Sequence, residues 1–128
     1  MITGLVNDNL EATVRLVVAG PDGQTNQITA VIDTGYNGAL SLPFGIVSVL
    51  SLPQSASREV TLGDASRRFF DYYNSEVVWD GHPHRVRVLC VEGDPLIGTG
   101  LLAGYKMDAD FVPGGLVLLT PITYATAL

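Results

Sequence analysis

Cysteine is almost absent: Cys90 is the only one in 128 residues, so the chain can close no disulfide on itself and suits a reducing compartment. Histidine is nearly as scarce, with only His82 and His84. Basic residues are few as well, 7 Lys and Arg against 13 Asp and Glu. The resulting formal charge of −6 has the wrong sign for holding phosphate backbones, which excludes nucleic acid as an expected partner. No apolar run approaches the roughly 20 residues needed to cross a bilayer, and Met1-Ile2-Thr3-Gly4-Leu5 lacks the basic-then-apolar layout of a signal peptide. A soluble, cytoplasmic protein with no membrane partner is therefore expected. Linkers, low-complexity tracts and internal repeats are missing too. Since domains run to roughly 100–200 residues, residues 1–128 are expected to form one domain.

What is present is ample material for a core: 47 % of residues are apolar and 16 % charged. From Glu11 to Val18 the chain alternates, with Ala12, Val14, Leu16 and Val18 on one face and Glu11, Thr13 and Arg15 on the other, the period of a half-buried strand. Gly20-Pro21-Asp22-Gly23 is a turn, and Gln27 to Ile32 resumes the alternation, so a hairpin is predicted. A short apolar segment covers Ala39 to Pro43. A two-turn helix is predicted from Pro43 to Leu50, with Pro43 in its first turn and Phe44, Val47 and Leu50 on its apolar side. Arg58 to Leu62 and Arg68 to Tyr73 flank Gly63-Asp64-Ala65-Ser66 as a long exposed hairpin. Further strands are predicted at Glu76 to Trp79, His84 to Val91, Tyr105 to Phe111 and Leu116 to Pro121, with turns at Asp80-Gly81-His82-Pro83 and Pro113-Gly114-Gly115 and a short helix near Thr99 to Gly104. Cys90 alternates in register with Val86 and Val88, which reads as a buried strand residue. Many short strands and little helix indicate an all-β fold, a closed or nearly closed barrel.

The chemistry is concentrated in Thr29-Ala30-Val31-Ile32-Asp33-Thr34-Gly35-Tyr36-Asn37-Gly38, where an apolar strand runs into an acid, a hydroxyl and a glycine. A carboxylate emerging at the end of a buried strand is a candidate general base, and Gly35 lets backbone approach it closely. Asp, Thr and Gly are also ordinary turn formers, so the tripeptide alone leaves a plain turn as an equal reading.

Roughly sixty residues later comes Pro95-Leu96-Ile97-Gly98-Thr99-Gly100-Leu101-Leu102. The pair of motifs, together with Val60-Thr61-Leu62-Gly63-Asp64-Ala65 and Glu76-Val77-Val78-Trp79-Asp80-Gly81 between them, resembles the retropepsin-like aspartic peptidases, and in particular their small stand-alone bacterial members. The likeness runs from about Glu11 to Pro121. It implies an acid-protease-like β-barrel with one or two short helices, and an aspartic endopeptidase that needs no metal or cofactor. Asp33 would be the catalytic acid, Thr34 would grip its counterpart across a dimer and Gly35 would shape the loop. Leu62, Gly63, Asp64 and Ala65 would meet substrate from a flap, and Asn37, Gly38 and Ile97 would line the cleft, with Leu96, Ile97 and Gly98 forming the segment behind the turn. Leu101 and Leu102 would lie on a supporting helix. Viral members carry Ala and acidic residues after the tripeptide and an Arg after the later glycine, whereas Tyr36, Asn37, Gly38 and Thr99 stand here, so viral-like specificity is not implied. The flap tip also lacks a glycine pair, Gly63 being followed by Asp64.

Aspartic peptidase chemistry uses two carboxylates about 3 Å apart sharing one proton, because like charges so close cannot both ionise. One chain offers one Asp-Thr-Gly turn and no repeat supplies another, so a twofold homodimer acting on peptide or unfolded protein is expected. The apolar ends Ile2 to Val6 and Leu116 to Ile122 are expected to pair near its interface. The main rival is a non-catalytic interaction module that keeps the fold. A metal hydrolase built on Asp80, His82 and His84 is weaker, the two histidines flanking Pro83 in a predicted exposed turn. Arg58, Arg67 and Arg68 read as solvated charges, and Asp108 and Asp110 as the wet side of a strand.

Overall fold

Alternating apolar and polar side chains bury one face of each strand and wet the other, and that pattern sets the architecture. A computed structural model of the chain describes residues 1–61 and 63–123. Along it run β1 (Ile2–Val6), β2 (Ala12–Ala19), β3 (Thr25–Ile32), β4 (Leu40–Leu42), α1 (Phe44–Val49), β5 (Gln54–Thr61), β6 (Arg67–Trp79), β7 (His82–Cys90), β8 (Leu96–Ile97), α2 (Thr99–Leu102), β9 (Tyr105–Ala109) and β10 (Leu116–Pro121). Strand β6 pairs with β7, then β4, β8, β3 and β2 follow in order, and β2 pairs back onto β6, closing a six-stranded barrel. Closure is possible because β2 shares one edge between two partners: Ala12 to Val14 pair with β1, and Val17 to Ala19 with β6. The expected all-β barrel with short helices is the fold observed.

Val14, Leu16 and Val18 from β2 and Ile28 and Ala30 from β3 point inward together, as their alternation predicts. They meet Leu40, Leu42, Val77, Trp79, Val88 and Ile97 in the main core. A smaller cluster of Val6, Ala12 and Val117 sits beside it, with Ile32 and Ala109 packed against it.

Several elements differ from the sequence reading. The strands predicted at Arg68–Tyr73 and Glu76–Trp79 are one continuous β6, because Asn74 and Ser75 are gripped on both sides: Asn74 N–H donates to the Pro53 carbonyl at 2.9 Å and Ser75 Oγ to that of Ala19 at 3.0 Å. The turn after it is only Asp80-Gly81, with φ of 51° and 78°, the left-handed pair of a two-residue hairpin. His82 and His84 are therefore exposed strand residues of β7 and not a loop. Pro43 caps α1 in extended conformation and does not enter its first turn. Phe44 is 57 % exposed; Val47 and Leu50 are buried and Ile46 packs against them. Strand β9 stops at Ala109, two residues early. Cys90 is half-buried at the end of β7, where burial above all, with Glu92 and Asp71 nearby, pushes its thiol up. The apolar ends do not await a partner's strand, for β1 lies between β2 and β10, and β10 between β1 and β9. Asp108 and Asp110 are exposed, as expected.

The helix face provides a check on packing. Leu50→Ala should lower unfolding free energy by about 2–5 kcal/mol, as for other fully buried leucines, whereas Phe44→Ala should stay within about 0.5 kcal/mol of the parent. Urea titrations of both variants measure the contrast, and equal losses would show that Phe44 is packed after all.

Candidate active site

Strand β3 ends at Ile32 and Asp33 follows directly, half-buried, its backbone N–H donating to the Ile97 carbonyl at 2.9 Å. This bond continues the parallel ladder in which Val31 and Ile32 lie beside Leu96 and Ile97. The chain then turns tightly: Tyr36 N–H donates to the Asp33 carbonyl at 3.2 Å, and Gly35 N–H to Asp33 Oδ1 at 2.9 Å. That bond to Oδ1 is the carboxylate's sole hydrogen bond among the described residues, which leaves Oδ2 open to water or a proton. Thr34, Gly35 and Asn37 are exposed, and the Thr34 hydroxyl has no partner among the described residues.

The loop is fastened from behind by the Gly98-Thr99-Gly100 segment. Gly98 N–H donates to the Ala39 carbonyl at 3.1 Å, Thr99 N–H to that of Tyr36 at 2.8 Å and Gly100 N–H to that of Gly38 at 3.0 Å. Two of these positions must be glycine. A Cβ on Gly98 would run into the carbonyl oxygens of Gly38 and Tyr36, and one on Gly100 would stand 2.9 Å from backbone atoms of Gly38 and Ala39. Gly38 in turn lies under the Tyr36 ring, whose phenol donates to the Leu40 carbonyl at 3.4 Å.

Tyr36 is the member of the site that the sequence reading treated only as a departure from a pattern. Burial, with Tyr72 of β6 as the smaller cause, pushes its phenol up to about 12. Tyr72 lies within reach of two guanidiniums, Arg58 at 6.0 Å and Arg87 at 5.9 Å from its ring centre. The signal was available as a tyrosine directly after the glycine, but nothing local pairs it with a residue thirty-six positions on.

The expected flap is the β5–β6 hairpin, with Gly63, Asp64 and Ala65 exposed at its tip. Leu62 lies outside the described residues. Asp64 Oδ1 accepts from Ser66 Oγ at 2.5 Å and Ser66 N–H at 2.9 Å, which holds its carboxyl below the usual range. Ala65 adopts φ of 66°. Ile97, expected in the cleft, is fully buried in the core, so its part is to hold β8 behind the turn and it offers substrate no surface. Asn37 and Gly38 remain beside Asp33. Asp80, named with the histidines as a metal set, instead accepts the Tyr105 phenol at 3.0 Å and the N-terminal ammonium at 2.7 Å. Among the described residues no three of His, Cys, Asp and Glu gather in a group that could hold a metal ion, and no helix is long and apolar enough to cross a membrane.

No family model matches the chain, and no curated protein matches it. Solved structures do. A retropepsin-like aspartic protease from Rickettsia conorii superposes with a TM-score of 0.57 at 15 % identity, covering 95 % of this chain and 91 % of that one. The EIAV protease, solved with the inhibitor HBY-793, superposes with a TM-score of 0.50 at 14 % identity, covering 72 % of this chain and 85 % of that one. The fold is therefore retropepsin-like.

Two outcomes test the site's construction. Gly98→Ala should cost about 1–3 kcal/mol, since the obstructing atoms are backbone and cannot swing aside; denaturant unfolding measures it, and no loss would refute the close approach. The second concerns pH. A phenol whose folded value is raised from 10.0 to about 12 contributes stability that is complete below pH 10 and lost as pH climbs toward 12. Tyr36→Phe should accordingly flatten the fall in Tm between pH 10 and 12, with Tyr73 and Tyr105, also raised by burial, keeping part of the slope. Melting curves across that range decide it.

Proposed function

We propose that the chain, a single domain, is one subunit of a homodimeric aspartic endopeptidase in which Asp33 of each copy supplies one carboxylate. The observation that carries this reading is the Asp33 turn itself: an acid at the end of a strand of a closed barrel, its Oδ1 fixed by the Gly35 N–H and its other oxygen without a hydrogen-bond partner among the described residues, on a retropepsin-like fold.

Mutual repulsion of two like charges would set the division of labour. In a pair of such turns one carboxylate is ionised and takes a proton from water, while the other is protonated and polarises the scissile carbonyl. Attack by that water gives a tetrahedral intermediate, and the proton returns to the leaving amine. The Thr34 hydroxyl, exposed and without a partner among the described residues, would brace the opposite turn. Tyr36 stays neutral over the acid range in which such a pair works, so it fixes the loop by its hydrogen bond and brings no charge of its own.

A groove of about 880 Å³ lies at the far end of β2 and β3 between Ala19, Gly20, Thr25, Asn74 and Arg87, and no residue of the Asp33 turn lines it. An extended peptide would find walls around Asp33 only when a second copy and the β5–β6 hairpins close over it. Unfolded protein is the matching substrate class, because a segment must be extended to lie across two turns.

Asp33→Asn is the decisive substitution. Asn is nearly isosteric and keeps an acceptor for the Gly35 N–H, so fold and assembly should persist. Without an ionisable carboxylate on either copy the water has no base, and positioned acid–base catalysis is typically worth about 10²–10⁴ in rate. Hydrolysis of unfolded protein from about pH 4 to 7 should vanish. Full activity in a contaminant-free Asp33→Asn preparation would refute the assignment.

A further inference from the structure

We infer that the outward face of β5, β6 and β7 is a binding surface for an extended acidic segment of polypeptide; resting on the reading above, that segment belongs to the unfolded protein being cleaved and lies outside the Asp33 turn.

Register gathers the charges. Residues opposite each other in a ladder share a face, and successive residues alternate. Along β6, Arg68, Phe70, Tyr72, Asn74 and Glu76 therefore point one way, with Arg58 of β5 opposite Phe70, and Arg87 and Arg85 of β7 opposite Asn74 and Glu76. Ser75, Val77 and Trp79 alternate with them and are buried, so this face looks out of the barrel. Four of the chain's six arginines stand on it, and Glu76 is its single carboxylate among the described residues. Glu59 and Asp71 lie on the opposite face with Arg67, which bridges Glu59 at 3.2 Å.

Arg58, Arg68, Arg85 and Arg87 are exposed, and none is bridged to a carboxylate among the described residues, although the chain carries 13. Arg58 and Arg87 reach Tyr72 from the two neighbouring strands, 6.0 and 5.9 Å from its ring centre. An anion between these cations relieves their mutual repulsion. Side chains on one face recur about every 6.8 Å along a strand, and Arg68, Arg58, Arg87 and Arg85 occupy the first, second, fourth and fifth such rows of β6, with Tyr72 at the third. An extended peptide with acidic residues at alternate positions repeats at the same pitch. The stripe ends in the groove of about 880 Å³, where Asn74, Glu76, Arg85 and Arg87 face Gly20 and Pro53. Glu76 in the last row repels a phosphate chain but accepts a peptide N–H, which favours polypeptide over nucleic acid.

The same face leads to Asp33. Tyr72 is opposite Leu89, Leu89 opposite Ser41, Ser41 opposite Leu96 and Leu96 opposite Val31, two residues before Asp33. Four strand spacings of about 4.8 Å make about 19 Å along the sheet, the span of roughly six extended residues. One unfolded chain thus reaches from the stripe to the turn, and holding it at the stripe raises its effective concentration at Asp33.

Fluorescence anisotropy of a labelled peptide of about ten residues alternating Ser and Glu, titrated with the full chain, tests the surface directly. Arg85→Gln with Arg87→Gln should weaken binding about 10-fold, as each exposed charge pair is worth up to about 5-fold. Arg67→Gln removes one charge from the other face and should leave binding unchanged. Added salt should weaken the complex, and Asp33→Asn should bind as the parent does. Arg58→Gln, on a different strand, gives the same readout should the double variant not fold. In hydrolysis assays, a substrate carrying the Ser-Glu tract about six residues from the cleaved bond should show a lower KM than its Ser-Gln counterpart. Peptide binding that the arginine changes on this face abolish, in a chain that cleaves nothing, supports the surface and sinks the catalytic reading. Hydrolysis with equal KM for both substrates and no binding of the acidic peptide overturns the surface and leaves the peptidase reading standing. An oligonucleotide of equal charge that binds more tightly than the peptide and displaces it overturns the polypeptide assignment.

Discussion

Two stretches of backbone cross behind Asp33 at hydrogen-bonding distance, and the rest of the site depends on that crossing. Strand β8 is only two residues long, yet Ile97 and the three residues after it exchange hydrogen bonds with Asp33, Tyr36, Gly38 and Ala39. Buried backbone groups must find partners, and here the loop and the crossing segment satisfy one another. The position of the carboxylate is thereby set by main chain, which has few ways to relax, and not by the rotamers of packed side chains. Glycine at 98 and 100 is the condition for this approach, so the later motif belongs to the site although it carries no chemistry.

Much of this was legible because its signals are local. The alternation of β2 and β3, the turn between them, and the acid that ends β3 could be read directly, and they place Asp33 correctly at the mouth of the barrel. Readings failed where tertiary partners overrule local preference. Asn74-Ser75 looks like a break between strands, yet hydrogen bonds to Pro53 and Ala19 carry β6 straight through it. The spacing of Phe44, Val47 and Leu50 suggests one apolar stripe, but a six-residue helix turns only part of that stripe to the core and leaves Phe44 in solvent. Ile97 matched a cleft motif by sequence, while its register beside Leu40 and Ile32 drives it into the interior. None of these partners lies within a window that periodicity can see.

Arg58 and Arg87 show how the second tier of the site was hidden. Each has no carboxylate partner among the described residues, and in an acidic chain both would read as solvated charge; instead they approach Tyr72, on which a guanidinium is worth about 0.5–1 kcal/mol at exposed sites. Tyr72 in turn raises Tyr36, whose ring covers Gly38.

Asp33 is half-buried and its carboxylate holds one hydrogen bond among the described residues. Electrostatic effects that matter for catalysis grow as water is removed, because the interaction of two charges about 4 Å apart rises several-fold between bulk water and a protein surface environment. The open side of Asp33 lies away from the 880 Å³ groove, which is at the other end of the barrel. Under the proposed function, the event that brings a second acid also excludes the solvent, and a second copy is the one partner that does both at once. Assembly and activation would then be a single equilibrium.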